Sequence, residues 1–194
     1  NVVDGRLDAS YYDTLASEAR LASFLAIATG RISHDHWFRL GRSLTPSGAS
    51  RALLSWSASM FEYLMPLLLT RTYPGTLLDQ TCWNVVRAQI EYGKARSVPW
   101  GISESAFNFL DRRGHYQYKA FGVPGLGLKR GLADDLVVSP YATLLAALVD
   151  PEQAVRNMRR LSREGLEGRY GYYEAIDYTG PRPIDPSEQA QRER

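Results

Sequence analysis

The chain has 194 residues, 44% apolar and 23% charged, with a net charge of +2, which fits one globular domain with a sizeable core. Its 20 Arg and 3 Lys are scattered rather than clustered, which argues against a nucleic-acid face or a field that recruits a membrane. A single cysteine, Cys82, excludes an internal disulfide and a Cys-rich zinc site, and apolar runs such as LMPLLL at 64–69 fall well short of the roughly 18–20 residues that span a bilayer.

Helical patterning prevails along the chain. Residues 10–29 have Ser10 as an N-cap, Gly30 as a stop, and Leu15, Ala19, Ala22 and Ala26 at helical spacing. A short helix is predicted between Ser33 and Gly41, then a loop at 45–48. Residues 57–71 are apolar nearly all round, so this helix is expected to be buried, and kinked or divided by Pro66. Thr76 caps a helix that stops at Gly93. From 98 to 138 the regularity fails; the stretch is broken by Pro99, Gly101, Gly122, Gly127 and others, and is rich in aromatics. It is too long for a simple connector and reads as a functional loop region. Ser139-Pro140 and Asp150-Pro151 each open a further helix, the second stopping at Gly165. Residues 168–178 are aromatic and irregular, and the tail from Gly180 is polar and proline-bearing.

Antiparallel helical hairpins with long connections at one end predict an all-α fold, the (α/α)6 toroid. Twelve helices complete such a toroid and about five or six are read here, so an incomplete portion of the barrel is expected. The chain opens on Asn1 rather than on methionine and is read as a piece of something longer. Residues 1–179 are assigned to the catalytic domain and 180–194 to a linker or tail.

Carboxylates set among aromatics are the main chemical signal. Glu104 lies in WGISES, Glu62 in MFEYLMP, Glu174 and Asp177 in GYYEAID, and Glu18 between Ser17 and Ala19. Apolar surroundings disfavour the charged form of a carboxyl, which can then act as a general acid. Glycoside chemistry pairs such a group with a second carboxylate that attacks the sugar or activates a nucleophile, and Trp and Tyr faces stack on sugar rings. Each residue also has a structural reading: Glu18 as a solvated helix residue, Glu62 as a cap or core pair, Glu174 and Asp177 as braces of their loop. His34-Asp35-His36 lacks a third ligand and a shared helix face, so no metal is assigned. GVPGLGLKRG at 122–131 lacks the G-K-[ST] ending of a phosphate loop and reads as a tight turn. Cys82, beside Trp83, reads as a core residue. No cofactor is expected.

Four strings go further: WSASMFEYLMPLLLTRTYPGTLLDQTC, SVPWGISESAFN, YQYKAFGVPGLGLKRGLADDLVVSPYAT and GRYGYYEAIDY. They resemble the glucoamylase-like domain of bacterial cyclic β-1,2-glucan synthases, and residues 11–42 resemble the stretch before it. The resemblance runs over nearly all of residues 10–178 and implies an (α/α)6 toroid that acts as the cyclisation module of a large inner-membrane protein, on its cytoplasmic side. The chain itself is expected to be soluble, with β-1,2-glucan and the remaining domains of the synthase as partners, and with no nucleic acid or membrane contact. The module cleaves linear β-1,2-glucan with retention and transfers the fragment onto its own non-reducing end. An inverting endo-hydrolase and a glucan-binding fragment without turnover are the alternatives. Carried onto this sequence, the acid/base carboxylate falls on Glu104 and the nucleophile-side carboxylate on Glu18. Trp56, Glu62, Trp100, Tyr116, Glu174 and Asp177 match positions expected to line the glucan groove.

Overall fold

The computed structural model of the chain describes residues 2–3, 5–7, 12–111 and 113–180. Among them are six α-helices, one 3-10 helix and ten short strands, paired as five two-stranded antiparallel sheets. The all-α expectation, and with it the partial (α/α)6 toroid, is thereby corrected. The fold mixes helices with hairpins, and the hairpins occupy stretches that the sequence reading left as loops. The tail from 181 onward lies outside the described residues, as does the Ser10 cap.

The chain begins with a short hairpin, β1 (Val2–Val3) and β2 (Arg6–Leu7). Helix α1 spans Arg20–Ala28 and starts well after the expected residue 10. The backbone just before it is engaged elsewhere. Leu15 N–H donates to the Gly41 carbonyl at 2.9 Å and Gly41 N–H to the Asp13 carbonyl at 2.7 Å, and a segment bonded to another strand cannot also close i→i−4 helical bonds. Helix α2 (Asp35–Arg39) follows. The predicted loop at 45–48 is the end of a hairpin, β3 (Leu44–Ser47) with β4 (Ser50–Leu53), turning at Gly48 with φ +60°.

Helix α3 (Met60–Leu64) passes into a 3-10 turn, Met65–Leu68, at Pro66, whose ring removes the amide that an α-helix needs there. The α3 half is buried as expected, but Leu68 and Leu69 are exposed. Helix α4 (Leu77–Ala95) is capped by Thr76, which accepts from the Asp79 amide, and runs through the expected stop at Gly93. Hairpin β5 (Ser105–Leu110) and β6 (Tyr116–Lys119) occupies the irregular region. Strand β7 (Val137–Val138) precedes α5 (Pro140–Ala146) and α6 (Pro151–Arg163). Asp150 caps α6 through the Gln153 amide, and Pro151 takes the first helical position. A last hairpin, β8 (Glu167–Gly168) with β9 (Gly171–Tyr172), leads to β10 (Ile176–Asp177), which pairs back onto β7.

The core lies where α3 packs against α4 and α5, with α6 and β4 closing its sides. Met60, Tyr63, Leu64, Val85, Val86, Ala142 and Leu161 are buried there. Cys82 joins them, and burial pushes its thiol up to about 11, so it is inert packing. No described helix is long and apolar enough to cross a membrane.

Candidate active site

The stretch from Val98 to Glu104 is threaded through this core and held by its backbone. Asn157 receives the Trp100 N–H at 3.2 Å and donates to the Trp100 carbonyl at 2.6 Å. Gln89 makes the same paired clamp on Ile102, donating to its carbonyl at 2.8 Å and accepting its N–H at 2.7 Å. Between them Gly101 adopts φ +121°, and a Cβ there would sit 2.7 Å from Thr143 Oγ1, so only glycine fits. Ser103 then accepts the Phe61 amide and the Tyr141 hydroxyl, and Tyr141 also reaches the Glu104 carbonyl at 2.8 Å. The backbone of Glu104 is thus fixed from several sides while its side chain emerges half-buried. No hydrogen-bond donor among the described residues reaches its carboxyl. Burial first, and then the charges of Glu18 and Glu62, raise its pKa above the usual carboxylate range.

Trp100 does not share that exposure. It is 6% exposed, packed on Gly93, where a Cβ would lie 2.9 Å from its own Cβ. Most of its side chain packs into the core.

Glu62 is also buried, but every feature around it differs from Glu104. It completes a capping box with Ser59 at the start of α3. It also accepts the Ser55 hydroxyl at 2.9 Å, the Ser57 hydroxyl at 2.8 Å, and the amides of Trp56, Ser57 and Ser59. These donors draw the loop 55–59 around the carboxylate. The loop is gripped from outside by two glycines. A Cβ on Gly122 would fall 1.8 Å from the Ser57 carbonyl oxygen, and one on Gly127 would fall 2.7 Å from the Ala58 nitrogen. Ala58 itself takes φ +59°, a strained conformation that the surrounding bonds over-determine. At 3% exposure, Glu62 organises the loop around it.

Glu18 sits in the turn that opens α1, half-buried. Tyr12 donates to it at 3.0 and 3.1 Å and stands 3.2 Å from Glu62 Oε1. The Tyr12 ring stacks on Trp56, with centroids 5.9 Å apart and planes at 12°. Beneath, the buried Arg20 donates to the carbonyls of Ser17, Glu62 and Tyr63, locking the turn that carries Glu18 to the start of α3. Glu18, Glu62, Trp56 and Glu104 therefore gather in one place.

A second group lies beyond Glu104 along β5. Tyr116, Glu174 and Asp177 line an open pocket of about 340 Å³ together with Asn108 and Tyr173. Glu174 accepts the Ala106 amide at 3.1 Å and Asp177 the Asn108 amide at 3.2 Å, so these carboxylates brace the outer edge of β5. Tyr118 connects the two groups: burial, and then the charges of Glu104 and Glu174, raise its phenol. Tyr12, Arg20, Tyr118, Tyr141 and Tyr173 were not singled out by sequence. A helical reading of 10–29 placed Tyr12 and Arg20 on one continuous helix, which hid the turn that joins them to Glu62. No cluster of metal-ligating side chains is present among the described residues.

Relatives carry similar architecture. A structure of the endo-β-1,2-glucanase from Talaromyces funiculosus with sophorose superposes on 89% of the chain with a TM-score of 0.73 at 18% identity, using 37% of that protein. A mutant of that enzyme with β-1,2-glucan gives a TM-score of 0.74 at 17% identity, over 89% of this chain and 37% of that one. In sequence, the cyclic β-(1,2)-glucan synthase NdvB of Rhizobium meliloti (strain 1021) is 52% identical over 176 residues, covering 91% of this chain; the chain spans 6% of that protein's length. The family model described as "Putative glucoamylase" matches residues 10–190, and the chain belongs to that family.

Proposed function

We propose that the chain is a carbohydrate-active domain that works on β-1,2-glucan as a retaining transglycosylase, within a larger cyclic glucan synthase. The observation that carries the chemistry is the contrast at Glu104: a fixed backbone, a half-buried carboxyl that no donor among the described residues reaches, and a raised pKa next to Glu18. The identity to the Rhizobium synthase supports the substrate.

In this reading Glu104 reacts in its protonated form, which its raised pKa favours. It gives its proton to the glycosidic oxygen as the bond to the leaving chain breaks, and the carboxylate so formed later takes the proton of the incoming hydroxyl. Glu18 supplies the nucleophile side: its carboxylate attacks the anomeric carbon as the leaving chain departs, and this glycosyl–enzyme bond breaks when the incoming hydroxyl attacks the same carbon. The incoming hydroxyl belongs to the non-reducing end of the same glucan, so the product is a ring. Trp56 flanks this centre, while Tyr116, Glu174 and Asp177 hold sugar units further along β5. The synthase's other parts supply the inner-membrane anchor and set this domain on the cytoplasmic side.

Incubating the full-length protein that carries this chain with linear β-1,2-glucan is the test. Cyclic products that vanish in Glu104→Gln are expected. Linear products of inverted anomeric configuration would point to an endo-hydrolase, and calorimetric binding without any product to a glucan-binding domain.

A further inference from the structure

One phenol joins two carboxylates at the candidate centre. The Tyr12 oxygen lies 3.0 and 3.1 Å from the two oxygens of Glu18 and 3.2 Å from Glu62 Oε1. It has a single proton to give. Each carboxylate oxygen offers about two lone-pair sites; Glu62 Oε1 already receives the Trp56 amide at 3.1 Å and shares the Ser57 amide at 3.2 Å, and both Glu18 oxygens lie nearer to the phenol. The Tyr12 proton is therefore left for Glu18. Stacking on Trp56 keeps the ring from swinging away, and Trp56 is in turn held through its amide on Glu62.

We infer that Tyr12 is a positioning residue that fixes the Glu18 carboxylate, with the Glu62 loop as its rigid backing. Arg20 sets the backbone of the turn, through the Ser17 carbonyl, and Tyr12 sets the side chain. Glu62 thus serves the reaction without touching the glucan. This rests on the reading of Glu18 as the nucleophile-side carboxylate.

The experiment compares Tyr12→Phe and Glu18→Gln in the full-length protein, with linear β-1,2-glucan as substrate. The phenylalanine ring retains the stack on Trp56, so the thermal midpoint should hold. The expected result is an inactive Glu18→Gln, and a Tyr12→Phe whose kcat falls about 10- to 100-fold, the range of one hydrogen bond to a charged group, while KM stays within about twofold. Wild-type kcat in Tyr12→Phe, or a loss confined to KM, overturns the role of Tyr12 even when Glu18→Gln is inactive. A fully active Glu18→Gln overturns the reading of Glu18 instead, and with it the function assigned to Tyr12.

Discussion

Glu62 and Glu104 began with the same sequence credentials, each a carboxylate among apolar and aromatic neighbours, and the fold treats them in opposite ways. Around Glu62 the loop 55–59 turns two serine hydroxyls and three amides onto the carboxylate. Around Glu104 the bond from Tyr141 goes to the main-chain carbonyl, and no donor among the described residues reaches the carboxyl. Burial is common to both. What separates a structural carboxylate from a reactive one is where the donors go: onto the side chain, where they stabilise it as an acceptor, or onto the main chain, where they only aim it.

The largest effect that tests this contrast is on turnover. Glu104→Gln removes the acid and should lower kcat about 10³-fold, within the range for general acid catalysis, as read from product formation. Glu62→Ala should act on stability instead. It leaves several buried donors without a partner and should cost about 3 kcal/mol in chemical denaturation. Comparable stability for Glu62→Ala and wild type would erase the distinction drawn here.

A smaller effect belongs to the pocket beside β5. Glu174→Ala should raise KM about 3- to 10-fold with little change in kcat, the scale of one lost polar contact. The smallest effect is a pH-dependent gain. Because the native Glu104 carboxyl holds its proton to higher pH than the unfolded chain, stability falls as pH rises from the ordinary carboxylate range through the raised native value, and the cost persists above it. Glu104→Gln removes that cost. Its melting temperature should slightly exceed wild type at neutral pH and match it in acid, where both side chains are neutral.

Much of this was legible in the sequence, and particular residues show where legibility ends. Thr76, Asp150 and the Pro140 and Pro151 positions announced their helices, because caps act within one turn of chain. The β5–β6 hairpin was missed although its alternation, SAFNFL against YQYK around Gly114, is present in the sequence. The surrounding glycines and prolines obscured its period. The false start of α1 has another cause: Leu15 pairs with Gly41, a partner that no local pattern reveals. The burial of Trp100 was hidden for the same reason, since the residues that hold it, Gly93 and Asn157, come from α4 and α6. The fates of Glu62 and Glu104 were undecidable locally, because the groups that hold the chain there are distant in sequence: Gln89 clamps Ile102, and Tyr141 donates to the Glu104 carbonyl.

The grip of Gly122 and Gly127 on the loop around Glu62 has a practical bearing on redesign. It is made of atoms that are not there: two absent side chains let two backbones touch. A graft that lengthens or reshapes the β5–β6 hairpin to admit a different sugar polymer leaves this contact alone. A graft that imports residues 121–128 from a scaffold with ordinary side chains at these two sites would pry loop 55–59 open, and the damage would travel through Glu62 and Tyr12 to Glu18. The boundary for any chimera therefore runs just before Phe121, between the part of the loop region that is free to change and the part that acts as a hinge pin.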